Sequence, residues 1–206
     1  MTHEIIRRWV NTYMARINEY TAQFKPENLG KVWSADEQKI KLKKENAWVW
    51  SWNCMDNQTR FLLANQITKE REIVDARRLF RRAKANANAQ MPEQVTTDGL
   101  QGYRKAVRKE FSSYQNRNPH IRVRKITAKV NNNTIERYHG TFRERDKVMR
   151  GFQNGKTADT YNENFKTYYN YLKPHMALGG KTPAQATGIN EPSEWKPLLI
   201  KALSER

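Results

Sequence analysis

Cysteine is almost missing from this 206-residue chain. Cys54 is its only one, so neither an intrachain disulfide nor a cysteine-based metal cluster is available. No run approaches the roughly 18 consecutive apolar residues of a membrane-spanning helix. The opening Met1-Thr2-His3-Glu4 lacks the apolar segment of a secretory signal. These absences lead us to expect an intracellular chain. The four histidines, His3, His120, His139 and His175, have no zinc-like spacing. Internal repeats and low-complexity tracts are absent too. Acidic residues are also short: 21 Asp and Glu stand against 38 Lys and Arg, a formal charge of +17 with a pI near 10.1.

That surplus of positive charge favours a polyanionic partner, because basic side chains that neutralise phosphates release condensed counterions. A basic surface without such a partner is the plainer alternative. Membrane-surface binding fits less well, since the charge is spread along the chain rather than gathered on one amphipathic helix. Hydrophobic residues make up 37%, with six Trp, nine Tyr and seven Phe, bulk enough for one well-buried domain with extensions.

Periodicity divides the chain. Ile5, Ile6, Trp9, Val10, Tyr13, Met14 and Ile17 recur at helical spacing over residues 4–23, and Lys25-Pro26 with Leu29-Gly30 closes that helix. Residues 32–42, 47–55 and 59–67 read as a three-stranded antiparallel meander, separated by Lys44-Glu45-Asn46 and Asp56-Asn57-Gln58. A helix over 70–89 carries Ile73, Ala76, Leu79 or Phe80 and Ala83 on one face. A short strand over 94–97 then runs into Asp98-Gly99. Leu100, Tyr103, Val107 and Phe111 mark another helix, and residues 121–126 alternate as a fifth strand. From Asn132 a long helix presents Ile135, His139, Phe142, Met149 and Phe152. Beyond Gly155 a helix runs through Tyr161, Phe165, Tyr168 and Tyr169, then an irregular segment over 173–183, then a short helix near 197–203. The order βββαβαβα predicts an α/β fold: a mixed five-stranded sheet flanked by helices, with an N-terminal helix and a C-terminal helical tail.

Three acids hold informative positions in that order. Asp36 shares the strand parity of Val32, Ile40 and Leu42, and a core-facing acid is costly unless something such as a cation compensates it. Asp98 ends the fourth strand just before a glycine, at the edge where such sheets place function. Glu136 follows Ile135 in the first turns of the long helix, beside its buried stripe. Hard divalent cations take oxygen ligands, and a pair of them about 3.5–4 Å apart activates an attacking oxygen and stabilises a leaving one. Taken singly, each acid reads more readily as a cap or as the partner of a neighbouring Arg or Lys, so periodicity alone does not establish a site.

The blocks around these acids resemble those of a known family. Trp33-Ser34-Ala35-Asp36-Glu37-Gln38, Thr97-Asp98-Gly99-Leu100-Gln101-Gly102-Tyr103 and Asn131-Asn132-Asn133-Thr134-Ile135-Glu136-Arg137 are similar to the three catalytic blocks of prokaryotic insertion-sequence transposases of the DDE type, which have a retroviral-integrase-like, ribonuclease H-like core. Residues 99–135, 37 in number, make the short second interval of that class. Tyr169-Asn170-Tyr171-Leu172-Lys173-Pro174-His175 with Leu178-Gly179-Gly180-Lys181-Thr182-Pro183-Ala184 resembles the segment that follows such cores. The likeness spans about residues 5–190.

The resemblance implies a good deal. Asp36, Asp98 and Glu136 would be the catalytic residues and the ligands of two Mg²⁺ or Mn²⁺ ions. A phosphodiester would be hydrolysed at each element end, and the freed 3′-OH would attack target DNA, with no covalent protein intermediate and no ATP. DNA would be the partner, the protein acting as a homo-oligomer on it, in the nucleoid of a prokaryotic cytoplasm and away from membranes. Residues 31–153 would form the catalytic core, 1–30 an N-terminal helix and linker left from a DNA-reading module, with Ile5-Ile6-Arg7-Arg8-Trp9-Val10 resembling the end of such a module, and 154–206 a helical tail. The chain departs from the pattern at Gln38, where Thr is frequent, at Lys173, where Arg is frequent, and in its short N-terminal part. A metal-dependent nuclease of the same fold, or a non-catalytic DNA-binding remnant, are the competing readings.

Beside such a site, Arg137, Arg143, Lys147 and Arg150 on the Glu136 helix are expected to bind phosphate, with Arg145 nearby. The Lys39, Lys41, Lys43, Lys44 cluster either does likewise or guards a strand edge. Glu37, on the opposite strand face from Asp36, reads as structural or as a support for the site. Asp56 reads as a turn residue. His139, three residues after Glu136, either orients a phosphate or packs. Trp48, Trp50 and Trp52 share one strand face, for packing or, alternatively, for base stacking.

Overall fold

A computed structural model describes residues 2–123, 132–149 and 151–205. Helix α1 (His3–Ala22) precedes strands β1 (Val32–Leu42), β2 (Ala47–Asp56) and β3 (Leu62–Thr68), which form the antiparallel meander read from the sequence. Both turns have a local cause. Asn46 takes a left-handed φ of 45° between β1 and β2, which Asn tolerates better than most residues. Between β2 and β3, Asp56 Oδ2 accepts from the Thr59 backbone N–H at 2.8 Å and from its hydroxyl at 2.6 Å, a local side-chain bond that holds the turn. Asp56 is thus the turn residue the sequence suggested.

After α2 (Ile73–Asn86), β4 (Gln94–Thr97) enters the sheet parallel to β1, and after α3 (Gln101–Phe111), β5 (His120–Arg122) adds parallel to β4. The strand order β3-β2-β1-β4-β5 is the mixed five-stranded sheet expected. Residues 124–126 of the anticipated fifth strand lie outside the described residues. Helices α4 (Asn133–Met149), α5 (Gly155–Thr167), α6 (Pro183–Ala186) and α7 (Trp195–Ser204) follow, with a π turn at Tyr168–Leu172 and a 3₁₀ turn at Met176–Leu178 in the segment read as irregular.

Strand alternation sorts the core onto two faces. Trp33, Ala35 and Trp52 pack with Leu79, Phe80, Tyr103 and Phe111 of α2 and α3; Met14 and Ile17 of α1 and Leu198 of α7 join the same cluster. Ile40, Leu42 and Val49 face the other way, against Ile135, Tyr138 and Phe142 of α4 and Phe165 of α5. The stripe read along α4 stops short of its end. Met149 is exposed, and Phe152 lies past the helix, bridging back to Leu42. In α1 only the second half is buried, while Ile5, Ile6, Trp9, Val10 and Tyr13 stay exposed. Among the described residues, no helix is long and apolar enough to cross a membrane.

Candidate active site

The site arises where β4 ends. Its pairing with β1 stops at Ala35↔Thr97, so the next residue on one strand, Asp36, stands beside the next on the other, Asp98. Carboxylate oxygens of Asp36, Asp98 and Glu37 all lie within 4.8 Å of one another. Asp36 and Asp98 are the pair that spacing and resemblance single out. Glu37 is the addition: on the opposite face of β1, its long side chain still brings its carboxylate into the group.

Each acid is held differently. Asp98 Oδ1 accepts from the Leu100 backbone N–H at 2.9 Å, which ties the strand end to the entry of α3. Its Oδ2 lies 3.4 Å from Arg71. Asp36 faces α4, where His139 Nδ1 approaches its Oδ2 at 3.4 Å. The other ring nitrogen of His139 meets Asn53 Nδ2 at 3.0 Å. An amide nitrogen only donates, so Nε2 accepts and the ring proton sits on Nδ1, towards Asp36. Asn53 owes its place to sheet register, being the β2 partner of Asp36.

Glu37 is sealed in, with 1% of its side chain exposed. The Tyr103 phenol donates to Oε2 at 2.5 Å, and Arg71 pairs with Oε1. Burial pushes the Glu37 carboxyl up to about 7; Tyr103 and Arg71 pull it down, while the charges of Asp98 and Asp36 add to the rise. Burial, then the neighbouring carboxylates led by Glu37, hold the Tyr103 phenol well above its usual range, so it stays a donor. Beside Asp98, Thr97 Oγ1 meets His120 Nε2 at 2.8 Å; burial, then Arg104 and Arg122, push that imidazole below its ordinary value.

The remaining sequence candidates are placed as follows. Glu136 lies in the first turn of α4, exposed, and its carboxylate is not among those that converge within 4.8 Å. It sits one turn before His139, on the helix that meets Asp36. Arg137, Arg143 and Lys147 are exposed along α4, and Arg143 Nε donates to Gln38 Oε1 at 3.1 Å, so the unusual Gln38 anchors a helix cation beside the site. Arg150 lies outside the described residues. Sequence reasoning missed Arg71. It stands in Lys69-Glu70-Arg71-Glu72, a charged stretch with no periodicity to mark it. In the sequence Tyr103 stands in an apolar stripe and closes the block that opens at Thr97, with nothing to mark it as a partner of Glu37, and Asn53 carries no signal at all.

Comparison with known proteins bears on the family and the fold. The profile of the DDE domain of IS240-type transposases matches residues 30–175. No curated protein matches in sequence. Among solved structures, the simian T-cell lymphotropic virus intasome in complex with PP2A regulatory subunit B56 gamma aligns with a TM-score of 0.57 at 14% identity, over 84% of this chain and 61% of that one. This chain therefore spans less than two thirds of that relative. The HTLV-2 integrase catalytic core domain in complex with magnesium aligns in its trimeric form with a TM-score of 0.52 at 15% identity, covering 77% of this chain and 97% of that one. In its dimeric form the TM-score is 0.51 at 14% identity, with 80% and 98% covered. At such identities the likeness is one of fold, and that fold is ribonuclease H-like.

Proposed function

This chain belongs to the DDE-domain family of IS240-type transposases, a family of phosphoryl-transfer enzymes, and from that premise we propose that it cuts and joins DNA strands at the ends of a mobile element. The observation that carries the reading is the meeting of Asp36 and Asp98 at the end of β4, oxygen to oxygen within 4.8 Å. Like charges at that spacing repel, and a fold retains them where a cation compensates.

The donors fit a hard divalent ion such as Mg²⁺ or Mn²⁺: all are carboxylate oxygens, and two of the three residues are partly open to solvent. Asp36 and Asp98 are the proposed ligands, with Glu136 of α4 as the third and two ions as the complement. When bound, such ions supply an activated oxygen nucleophile and charge stabilisation at the leaving oxygen. The chain's own groups do the positioning. His139, with its proton on Nδ1, orients Asp36, and Arg71 with the Leu100 N–H orients Asp98. Arg137, Arg143, Lys147 and Arg150 are the proposed contacts to DNA phosphates, which place the strand without reading its sequence. Residues 31–153 form the proposed catalytic core, acting as a homo-oligomer on DNA.

Purified protein with an element-end duplex and Mg²⁺ tests this directly. Nicked ends and strand-joined products should both form, and both should vanish in Asp36→Asn, Asp98→Asn and Glu136→Gln. Nicks without joining would mean a nuclease of the same fold. Binding without any metal-dependent cleavage would mean a non-catalytic remnant.

A further inference from the structure

Lys39 and Lys41 on β1 stand opposite Trp50 and Trp48 on β2. Nearer the strand start this sheet face is buried beneath α2 and α3, where Trp52 is fully enclosed, makes an edge contact with Tyr103 at 5.7 Å and donates to Thr68 Oγ1 at 2.7 Å. Further along, the cover ends. Trp50 is half-buried, Lys39 and Lys41 are exposed, and Trp48 leaves 50% of its surface open. Three indoles that share one strand face thus have three fates, and the outermost adds nothing to the buried core.

Cations and rings form an unbroken series. Lys39 Nζ lies 5.3 Å from the Trp48 ring centre and 5.6 Å from that of Trp50, Lys41 Nζ lies 6.0 Å from Trp48, and the Arg71 guanidinium lies 4.7 Å from Trp50. Arg71 is also the residue that touches Glu37 and Asp98. The series therefore begins at the carboxylate cluster and leads away from it along β1.

We propose that this strip is a binding subsite for a DNA strand carrying an unpaired base, with Trp48 as the stacking platform and Lys39 and Lys41 as the phosphate contacts. The proposal rests on the reading of the carboxylate cluster as a DNA-processing site. An exposed indole presents a π-face that any unpaired base can use, and flanking ammonium groups supply the charge complement of the backbone. In the free chain those ammonium groups rest over the ring; phosphates draw them aside and open the ring to a base. From Glu37 to Lys41 is four residues, about 13 Å of strand, or roughly four base steps at about 3.4 Å each. The stacked base thus belongs to the nucleotides flanking the phosphate at the cluster. A fully paired duplex keeps its bases inside the stack and gains only the phosphate contacts.

The test is equilibrium binding by the whole chain, without divalent metal, to a short blunt duplex and to the same duplex with a single-stranded extension carrying aminopurine. Wild type should bind the extended probe more tightly and change its aminopurine fluorescence. Trp48→Ala should lose about tenfold in affinity for the extended probe, the usual scale for one stacked base, lose the fluorescence change, and keep its blunt-duplex affinity. Trp48→Phe should retain most of both signals. Equal weakening on both probes, or none on either, overturns the proposal. So does a change in oligomeric state of Trp48→Ala by sedimentation with unchanged selectivity, which would make the patch a contact between copies. If wild type binds both probes tightly and alike, only the subsite falls; if it binds neither, the transposase reading falls with it.

Discussion

Arg71 lies 3.4 Å from Asp98 Oδ2 while pairing with the buried carboxylate of Glu37, so one guanidinium compensates two of the three converging acids. A tethered cation and a bound one compete for the same oxygens. Arg71→Ala should therefore lower the metal-free Tm by several degrees, an expected cost of roughly 1–3 kcal/mol for leaving a buried charged group without its partner. Added Mn²⁺ should then raise the Tm of the variant by more than it raises that of wild type. Thermal scans with and without metal decide it, and equal metal shifts would remove Arg71 from the electrostatics of the site.

Asp36 has Glu37 and Asp98 as neighbours, and the Nδ1 proton of His139 is directed at it. Asp36→Asn keeps the shape and removes one of the crowded charges, so its metal-free Tm should equal or exceed that of wild type. Metal-dependent cleavage should fall about a thousandfold, corresponding to a loss of roughly 4 kcal/mol of charge stabilisation. A clear fall in Tm would show that the acid is retained for folding instead.

His175 gives a pH signature of its own. Burial, then the charges of Lys173 and Arg60, push it down to about 4, with its ring edge-on to Tyr169 at 4.8 Å. Its folded pKa lies below the unfolded value, so between about 4 and 6.5 the unfolded chain binds the extra proton. Its share of stability is complete above about 6.5 and is lost as pH falls towards 4. Denaturant midpoints should therefore decline across that window in wild type and decline less in His175→Gln. Parallel pH curves would refute this.

Arg143 and Lys147 are exposed on α4, with Arg143 tethered to Gln38. Replacing both by Ala should flatten the plot of log affinity against log salt by roughly one to two units, at about 0.9 per phosphate contact. An unchanged slope would place the DNA elsewhere.

Much of this protein was legible in its sequence. The meander, the alternation of strands and helices, and the positions of Asp36 and Asp98 follow from local periodicity, from turn residues such as Asp56, and from block order, because side-chain direction alternates by rule within a strand. Other features depend on which segments meet. Glu37 was assigned to the far face of β1 by parity, yet its carboxylate joins the cluster, because a long side chain at a sheet edge reaches past the parity of its Cα. Arg71 and Tyr103 matter only once α2 and α3 are laid against β1. Asn53 is placed by pairing register, a relation between strands that neither strand encodes alone. The unequal burial of Trp48, Trp50 and Trp52 has the same origin: strand pattern put all three indoles on one face, and only the extent of the helices packed over it determined which of them stayed open to solvent.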